Sequence, residues 1–216
     1  MPTKDRARLI PLALRSFQNQ THTELELLIL DDGKQPISHL IPNDPRIAYI
    51  KIPPPPLTLG AKLNALAKLA RAPILVNWDD DDWSAPTRIE YQLQHLLTTN
   101  KSLTGFNCFH YWDTTTQQAY LWKHPNRNFC PPGATQMYTK AWLLAHPMRN
   151  ITLPVDLYFG REARTMNQVT EQPGLGFLVA RFHGNNSWRT IMRNRYYPRV
   201  DKSTLPTQFF ADMEIT

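Results

Sequence analysis

Cysteine, glycine and long apolar runs are all scarce in this sequence. Its 216 residues include only two cysteines, Cys108 and Cys130. Two thiols are too few to staple a domain of this size, so we expect both to be reduced in a cytoplasmic protein. No stretch approaches the roughly 18 consecutive apolar residues that a membrane-spanning helix requires. Charged residues, among them Lys4 and Arg6, lie close to the start, and this pattern predicts no secretory signal peptide.

Apolar residues make up 42% of the chain, and aromatic residues are spread along its length. This composition is typical of a folded globule with one sizeable core. We therefore interpret residues 1–216 as a single domain.

Positive charge is in excess and is concentrated towards the C-terminal end. The net charge is +6, and one late segment, residues 181–202, contains six basic residues and a single acidic residue, Asp201. Such a segment suits the phosphates of a nucleotide diphosphate, an anionic lipid surface or a nucleic acid; a solvated basic tail is the alternative. The six basic residues are Arg181, Arg189, Arg193, Arg195, Arg199 and Lys202.

Helical and extended patterns alternate in the first half of the chain. This alternation predicts an α/β fold with a mostly parallel sheet and helices on both faces. The first predicted helix begins almost at Met1 with no predicted strand ahead of it, so either the protein begins upstream or the sheet lacks a strand. The predicted strands cover residues 25–30, 47–52 and 74–78, and the predicted helices cover 6–19, 59–72 and 86–97.

The second half has a different character. Residues 106–112 and 118–122 predict a hairpin around the polar turn 113–116, and residues 176–180 predict a further strand. We expect a smaller, mixed region here.

Four consecutive carboxylates, Asp79 to Asp82, lie between two tryptophans directly after a predicted strand. Ligands of such sheets bind beyond the carboxyl ends of the strands. In an extended chain Asp79 and Asp81 point to one side, and Asp80 and Asp82 point to the other. Two carboxylates one residue apart suit a Mg²⁺ or Mn²⁺ that also binds a diphosphate. A structural Ca²⁺ site or simple helix capping is the alternative.

Five short motifs occur in the order and spacing of a known family. The family that they resemble is glycosyltransferase family 2, of GT-A fold, whose Asp-x-Asp signature falls in the last of them. The resemblance covers residues 2 to about 97, and the strand that the family carries before the first motif is missing here. The motifs are Pro2-Thr3-Lys4-Asp5-Arg6, Ser16-Phe17-Gln18-Asn19-Gln20-Thr21, Leu30-Asp31-Asp32-Gly33, Gly60-Ala61-Lys62-Leu63-Asn64 and Trp78-Asp79-Asp80-Asp81-Asp82-Trp83.

The resemblance implies a nucleotide-sugar-binding half, residues 1–100, and an acceptor-binding half, residues 101–216, that ends in the basic segment. It also implies roles for individual residues, each with an ordinary surface or capping role as the alternative. Asp32 would accept a hydrogen bond from the base, Thr3 and Lys4 would line the same pocket, Lys62 would help to hold the nucleotide, Asp79 would touch the ribose or the metal, and Asp81 would be the chief metal ligand.

A catalytic base is expected in the second half, where family members carry Glu-Asp before a helix. Asp156 matches that aspartate, although Val155 replaces the usual glutamate. The alternative is that Asp156 only caps the helix that follows. Glu162 is the reserve candidate for the base.

A late loop adds candidate cations. In related enzymes a histidine in such a loop completes the metal shell or contacts the diphosphate, which implies this role for His183; a structural histidine is the alternative. Arg189 and Arg193 would neutralise the departing diphosphate.

Together these residues predict a metal-dependent, inverting glycosyltransferase that uses Mn²⁺ or Mg²⁺ and a UDP-sugar. Its acceptor would be a sugar, a lipid-linked molecule or a protein; the basic segment would allow peripheral membrane contact, and no nucleic-acid partner is expected. Two other classes stay open. One is a nucleotidyltransferase, although residues 1–15 lack the glycine-rich loop of such enzymes. The other is a catalytically silent nucleotide-sugar-binding protein.

Overall fold

The computed structural model describes residues 1–123, 130–184, 186 and 197–214. The fold is α/β, as predicted, with a small parallel sheet in the first half and a larger mixed sheet built mainly by the second half. The described strands are β1 (Pro2–Thr3), β2 (Leu27–Asp31), β3 (Ile47–Lys51), β4 (Ile74–Val76), β5 (Trp83–Ser84), β6 (Leu103–Asp113), β7 (Gln118–Lys123), β8 (Met137–Thr139), β9 (Val169–Pro173), β10 (Leu178–Phe182) and β11 (Arg199–Val200). The described α-helices are α1 (Ile10–Gln18), α2 (Leu59–Leu69), α3 (Arg88–Thr99), α4 (Lys140–Ala145), α5 (Val155–Thr165) and α6 (Thr207–Glu214).

The parallel sheet has the order β1-β2-β3. Two residues form β1 and pair with Leu30 and Asp31, so a short strand lies ahead of the first helix where the sequence predicts none. In β2, Leu27 and Ile29 point into the core and are almost completely buried. The strand ends at Asp31, which carries the chain to the sheet edge where Asp32 begins the connection to the next strand.

The larger sheet is organised around β6, an eleven-residue strand. The predicted hairpin is confirmed, because β7 pairs antiparallel with β6 in register from Cys108 to Asp113. Strands β9 and β10 pair with β6 in parallel. Strand β4 was predicted as part of a parallel sheet, but it pairs antiparallel with β8. The parallel pairing of the first half is therefore confined to β1, β2 and β3.

The helix boundaries differ from the prediction at proline residues. The region 6–19 contains a 3-10 turn at Ala7–Leu9 and then α1, with Pro11 in its first turn, a position where the missing N–H costs nothing. Helix α3 begins at Arg88 because Pro86 lies in the preceding turn. No helix within the described ranges is long and apolar enough to cross a membrane.

The two tryptophans that flank the four carboxylates fasten this loop to the core. The indole N–H of Trp78 donates to the carbonyl of Ala13 at 3.1 Å, and that of Trp83 donates to Asp212 at 2.8 Å. Both rings are at least 96% buried, with exposures of 4% and 1%. Residues 79–82 are thus held between two anchored side chains at the carboxyl end of β4.

Candidate functional site

A cavity of about 560 Å³ lies where the two halves of the chain meet. Its size is in the range typical of small-molecule sites. One wall comes from the N-terminal motif and α2, and the other from the loop before β8 and the start of α5. The lining includes Thr3, Lys4, Arg6, Lys62, Asp79, Asp80, Asp81, Asp82, Tyr111, Trp122, Gly133, Asp156, Arg181 and Asn186.

Three carboxylates converge in this cavity and form what we call the acidic cluster: Asp79, Asp81 and Asp82. Each offers an oxygen that lies within 4.8 Å of the others. The prediction that Asp79 and Asp81 share a side is confirmed, but the prediction that Asp82 points away from them is wrong. The chain bends at Asp80 and Asp81 instead of staying extended, so the period of two does not hold across this segment.

The carboxylate of Asp80 lies outside the acidic cluster. It accepts hydrogen bonds from the hydroxyl of Thr3 at 2.6 Å and from the guanidinium of Arg6 at 2.9 Å. Asp80 therefore ties the acidic loop, residues 77–82, to the N-terminal motif.

The carboxylates of this loop repel one another in a largely dehydrated place. Burial, with the charges of Asp81 and Asp80 added, raises the pKa of Asp79 to about 7. Burial and Asp81 also raise the pKa of Asp80, and burial, Asp81 and Asp79 hold the pKa of Asp82 well above its usual value. A bound cation would offset these charges.

The raised pKa of Asp79 predicts how the stability of the metal-free protein depends on pH. The folded-state pKa, about 7, exceeds the usual 3.8, so this group stabilises the fold at low pH and that contribution is lost as pH rises through about 7. We expect the melting temperature to fall by several degrees between about pH 4 and pH 7 and to level off above about pH 7, where Asp79 is ionised in both the folded and the unfolded state. Thermal scans of Asp79→Asn should show a flatter profile. A wild-type profile as flat as that of the variant would contradict the assignment.

Asp81 is the most heavily contacted member of the acidic cluster. Arg6 at 3.1 Å and Asn186 at 3.4 Å donate to its Oδ2 atom, and the Nε2 atom of His183 lies 3.1 Å from the same oxygen. The structure thus brings His183 to a predicted metal ligand. Arg6 and Asn186 are functional candidates that the sequence analysis does not identify. A signal for Arg6 exists, because it belongs to the first motif and four adjacent carboxylates require a nearby cation.

Arg181 does not belong to a solvated basic tail, because it is only 6% exposed. Its backbone N–H donates to Asp82 at 3.0 Å, and its Nε donates to the backbone carbonyl of Asp81. This side chain is a second cation beside the acidic cluster. Arg189 and Arg193 lie outside the described residues.

Three residues predicted to bind the nucleotide lie at the wall of the cavity, whereas Asp32 is not among its lining residues. These three residues are Thr3, Lys4 and Lys62. The ammonium of Lys62 forms an ion pair with Asp32 and also donates to the backbone carbonyl of Thr3 at 3.2 Å. The side chain of Asp32 is fully buried behind Lys62, and its other oxygen accepts the N–H of Leu57 at 2.8 Å. Base recognition by Asp32 stays a prediction.

Asp156 lies in the first turn of α5 and lines the same cavity as the acidic cluster. The helix N-cap is Pro154, and Asp156 Oδ2 accepts the backbone N–H of Gly133 at 2.8 Å. Asp156 is therefore not the N-cap of α5; its carboxylate binds the backbone of a neighbouring loop instead.

The neighbours of Asp156 clarify two further expectations. Val155, which stands where the family has glutamate, is 1% exposed and packs in an apolar cluster with Leu63 and Phe159. Glu162 lies on an exposed face of α5, where it contacts His146 Nδ1 at 2.8 Å. Of the two candidate bases, Asp156 is the one that reaches the cavity.

Comparisons with known proteins agree with this geometry. The sequence model described as Glycosyl transferase family 2 matches residues 1–155. No curated protein matches the chain.

Solved structures share its fold. TarS 1-349 of S. aureus in complex with UDP-GlcNAc superposes with a TM-score of 0.68 at 15% identity, over 86% of this chain and 58% of that one. The mannosyltransferase PcManGT from Pyrobaculum calidifontis in complex with GDP-Man and Mn²⁺ gives 0.64 at 14% identity, over 84% and 55%. The chain spans less than two thirds of either protein. Because the family model matches most of its length, this chain belongs to glycosyl transferase family 2, and it has the GT-A fold.

Proposed function

We propose that this protein transfers a sugar from a nucleotide-diphosphate donor, a UDP-sugar, to an acceptor hydroxyl with inversion, and that Mn²⁺ or Mg²⁺ is required. The observation that carries the proposal is that the acidic cluster and Asp156 line one cavity. A metal-binding group for the leaving diphosphate and a carboxylate for the acceptor are the two parts that such a transfer needs.

The residues of the acidic cluster fit a hard divalent cation. Three carboxylate oxygens converge, and burial, together with the charges of Asp81 and Asp80, raises the pKa of Asp79. Asp79, Asp81 and Asp82 would hold the ion, with His183 beside Asp81 as a further ligand. Bound there, Mg²⁺ or Mn²⁺ would offset the charge that develops on the diphosphate.

The cations of the chain itself would act on the same group. Arg6 and Arg181 flank the acidic cluster, and Lys62 lines the same cavity. Lys62 and its partner Asp32 would fix the nucleotide there, together with Thr3 and Lys4. Arg189 is proposed as an additional contact of the diphosphate.

Asp156 would take the proton of the acceptor hydroxyl. Its Oδ2 is oriented by the N–H of Gly133, which keeps the carboxylate at the cavity wall. A base that acts opposite the leaving diphosphate gives inversion at the sugar carbon.

The choice of donor rests on analogy with the two solved structures. TarS was crystallised with UDP-GlcNAc and the mannosyltransferase with GDP-Man and Mn²⁺. Of these two donor classes we propose the UDP-sugar, for which Asp32 would accept the imide N–H of uracil.

A donor-hydrolysis and exchange assay tests the proposal. Incubation with UDP-sugars and Mn²⁺ should release UDP, and chelation of the metal should stop the release. Conversion of the UDP-sugar and labelled pyrophosphate into labelled UTP and a sugar 1-phosphate would instead indicate a nucleotidyltransferase. Donor binding without either reaction, across a panel of sugars and acceptors, would indicate a silent binding protein and refute the proposal.

A further inference from the structure

We propose that Arg88 is a positioning residue that holds the acidic loop in register with the loop that carries Gly133, residues 130–136. This register would set the distance between the metal-binding carboxylates and Asp156. The inference rests on the proposed function, because it assigns those two groups to the two ends of one transfer.

Arg88 lies in the first turn of α3 with only 1% of its surface exposed. Within the described part of the chain, no carboxylate lies at ion-pair distance from it. Burial of a guanidinium is costly unless its N–H groups are hydrogen-bonded. The charges of Asp82 and Asp79 offset part of this cost, and the hydrogen-bond acceptors around the guanidinium offset the rest.

Two of the hydrogen-bond partners of Arg88 are backbone carbonyls from two separate loops. Its Nη2 atom donates to Ala134 at 2.6 Å and approaches the carbonyl of Asn77 at 3.4 Å. Its Nη1 donates to the hydroxyl of Ser84 at 2.8 Å. The guanidinium is a rigid planar fork, and the flexible ammonium of lysine could not hold three such acceptors in one plane.

A second layer of hydrogen bonds supports the same two loops. The Nε of Arg88 donates to Gln92, whose amide donates to the carbonyl of Thr135 at 2.7 Å. From the other side, the amide of Asn77 donates to the carbonyl of Gly133 at 2.9 Å. The acidic loop begins at Asn77, so both loops share one network below the cavity floor.

Gly133 connects this hydrogen-bond network to Asp156. Its N–H donates to Asp156 Oδ2 at 2.8 Å. A Cβ atom added at Gly133 would lie 2.9 Å from the Cβ of Asp156. This distance is too short for two carbon atoms that are not bonded. The backbone of Gly133 and the side chain of Asp156 are therefore packed tightly against each other, and a shift of the loop that carries Gly133 would move Asp156.

The test uses Arg88→Gln, which removes the fork but keeps one donor. Amide hydrogen exchange of Gly133, Thr135 and Gln136 should accelerate about tenfold or more, while the amides of β2 and β3 keep the wild-type rate. In turnover assays kcat should fall about tenfold to a hundredfold, with the KM of the donor within about threefold of wild type and no loss of Mn²⁺ affinity, because removal of a positive charge near Asp79 and Asp82 does not weaken cation binding. Arg88→Lys should restore little of either property.

Gly133→Ala disturbs the same network where it contacts Asp156. It should show the same loss of kcat, with Mn²⁺ binding intact. Arg71→Gln, which removes an exposed arginine paired with Glu26, is the matched control and should change none of these quantities. Uniform acceleration of exchange throughout the protein in Arg88→Gln, or wild-type kcat in Gly133→Ala, would overturn the inference. If Arg88→Gln does not fold, the Gly133→Ala result decides. Absence of any transfer by the wild-type protein would refute the proposed function alone, since the exchange experiment does not need turnover.

Discussion

Replacing Asp81 with asparagine should abolish metal-dependent donor binding. Outer-shell changes at metal sites typically cost tenfold to a hundredfold in affinity, so loss of a direct ligand should cost about a hundredfold or more. Asp81 is also the residue on which Arg6, His183 and Asn186 converge. Calorimetric titration of Mn²⁺, with and without UDP, measures the effect.

Asp80→Asn is the matched control for that experiment. Asp80 lies next to Asp81 and is also buried, but its carboxylate faces Thr3 and Arg6 and not the acidic cluster. It should lose much less Mn²⁺ affinity than Asp81→Asn, and Asp82→Asn should lose more than Asp80→Asn because Asp82 belongs to the cluster. Equal losses in all three variants would mean that net charge, and not the convergence of three oxygens, sets the affinity.

Much of the fold and part of the site could be predicted because the signals are local. Apolar runs end at Asp31 and shortly before Asp79, and the carboxyl ends of strands are where such sheets bind ligands. The hairpin of β6 and β7 was predicted from extended runs around a polar turn. In each case residues close in sequence carry the information.

The arrangement of Asp82 could not be predicted, because distant residues determine it. Alternation along an extended chain requires that nothing bends the segment. Trp83 is anchored on Asp212, which lies 129 residues away, and Trp78 is anchored on Ala13. These contacts fix both ends of the acidic loop, and the turn between them brings Asp82 to Asp79 and Asp81.

The position of Arg88 in α3 is itself a signal that the sequence contains. In α3 the buried positions include Arg88, Gln92 and Leu96, spaced four residues apart. Two polar residues thus occupy the stripe that normally faces a core. A charge at such a position indicates a buried polar network, although only the structure identifies the two loops as its partners.

Asp156→Asn should leave UDP and Mn²⁺ binding nearly intact while transfer collapses. General-base catalysis typically contributes about a hundredfold to ten-thousandfold, and the fall in kcat should reach at least the lower figure. The amide is isosteric, and its oxygen can still accept the N–H of Gly133 that Asp156 accepts at 2.8 Å. The position of the side chain is therefore preserved, and only the ability to take a proton is lost. Steady-state transfer rates, combined with UDP titration of the same variant, separate the two quantities.

Glu162→Gln provides the comparison that makes this result decisive. Glu162 lies on the same helix as Asp156, but it is half-exposed and contacts His146, so its variant should transfer sugar at the wild-type rate. Wild-type turnover by Asp156→Asn together with inactivity of Glu162→Gln would move the base to Glu162. Activity retained in both variants would show that the base comes from another residue of the second half. A parallel loss of UDP binding and kcat in Asp156→Asn would mean that Asp156 holds the donor, because a base that acts only on the acceptor has no reason to change nucleotide affinity.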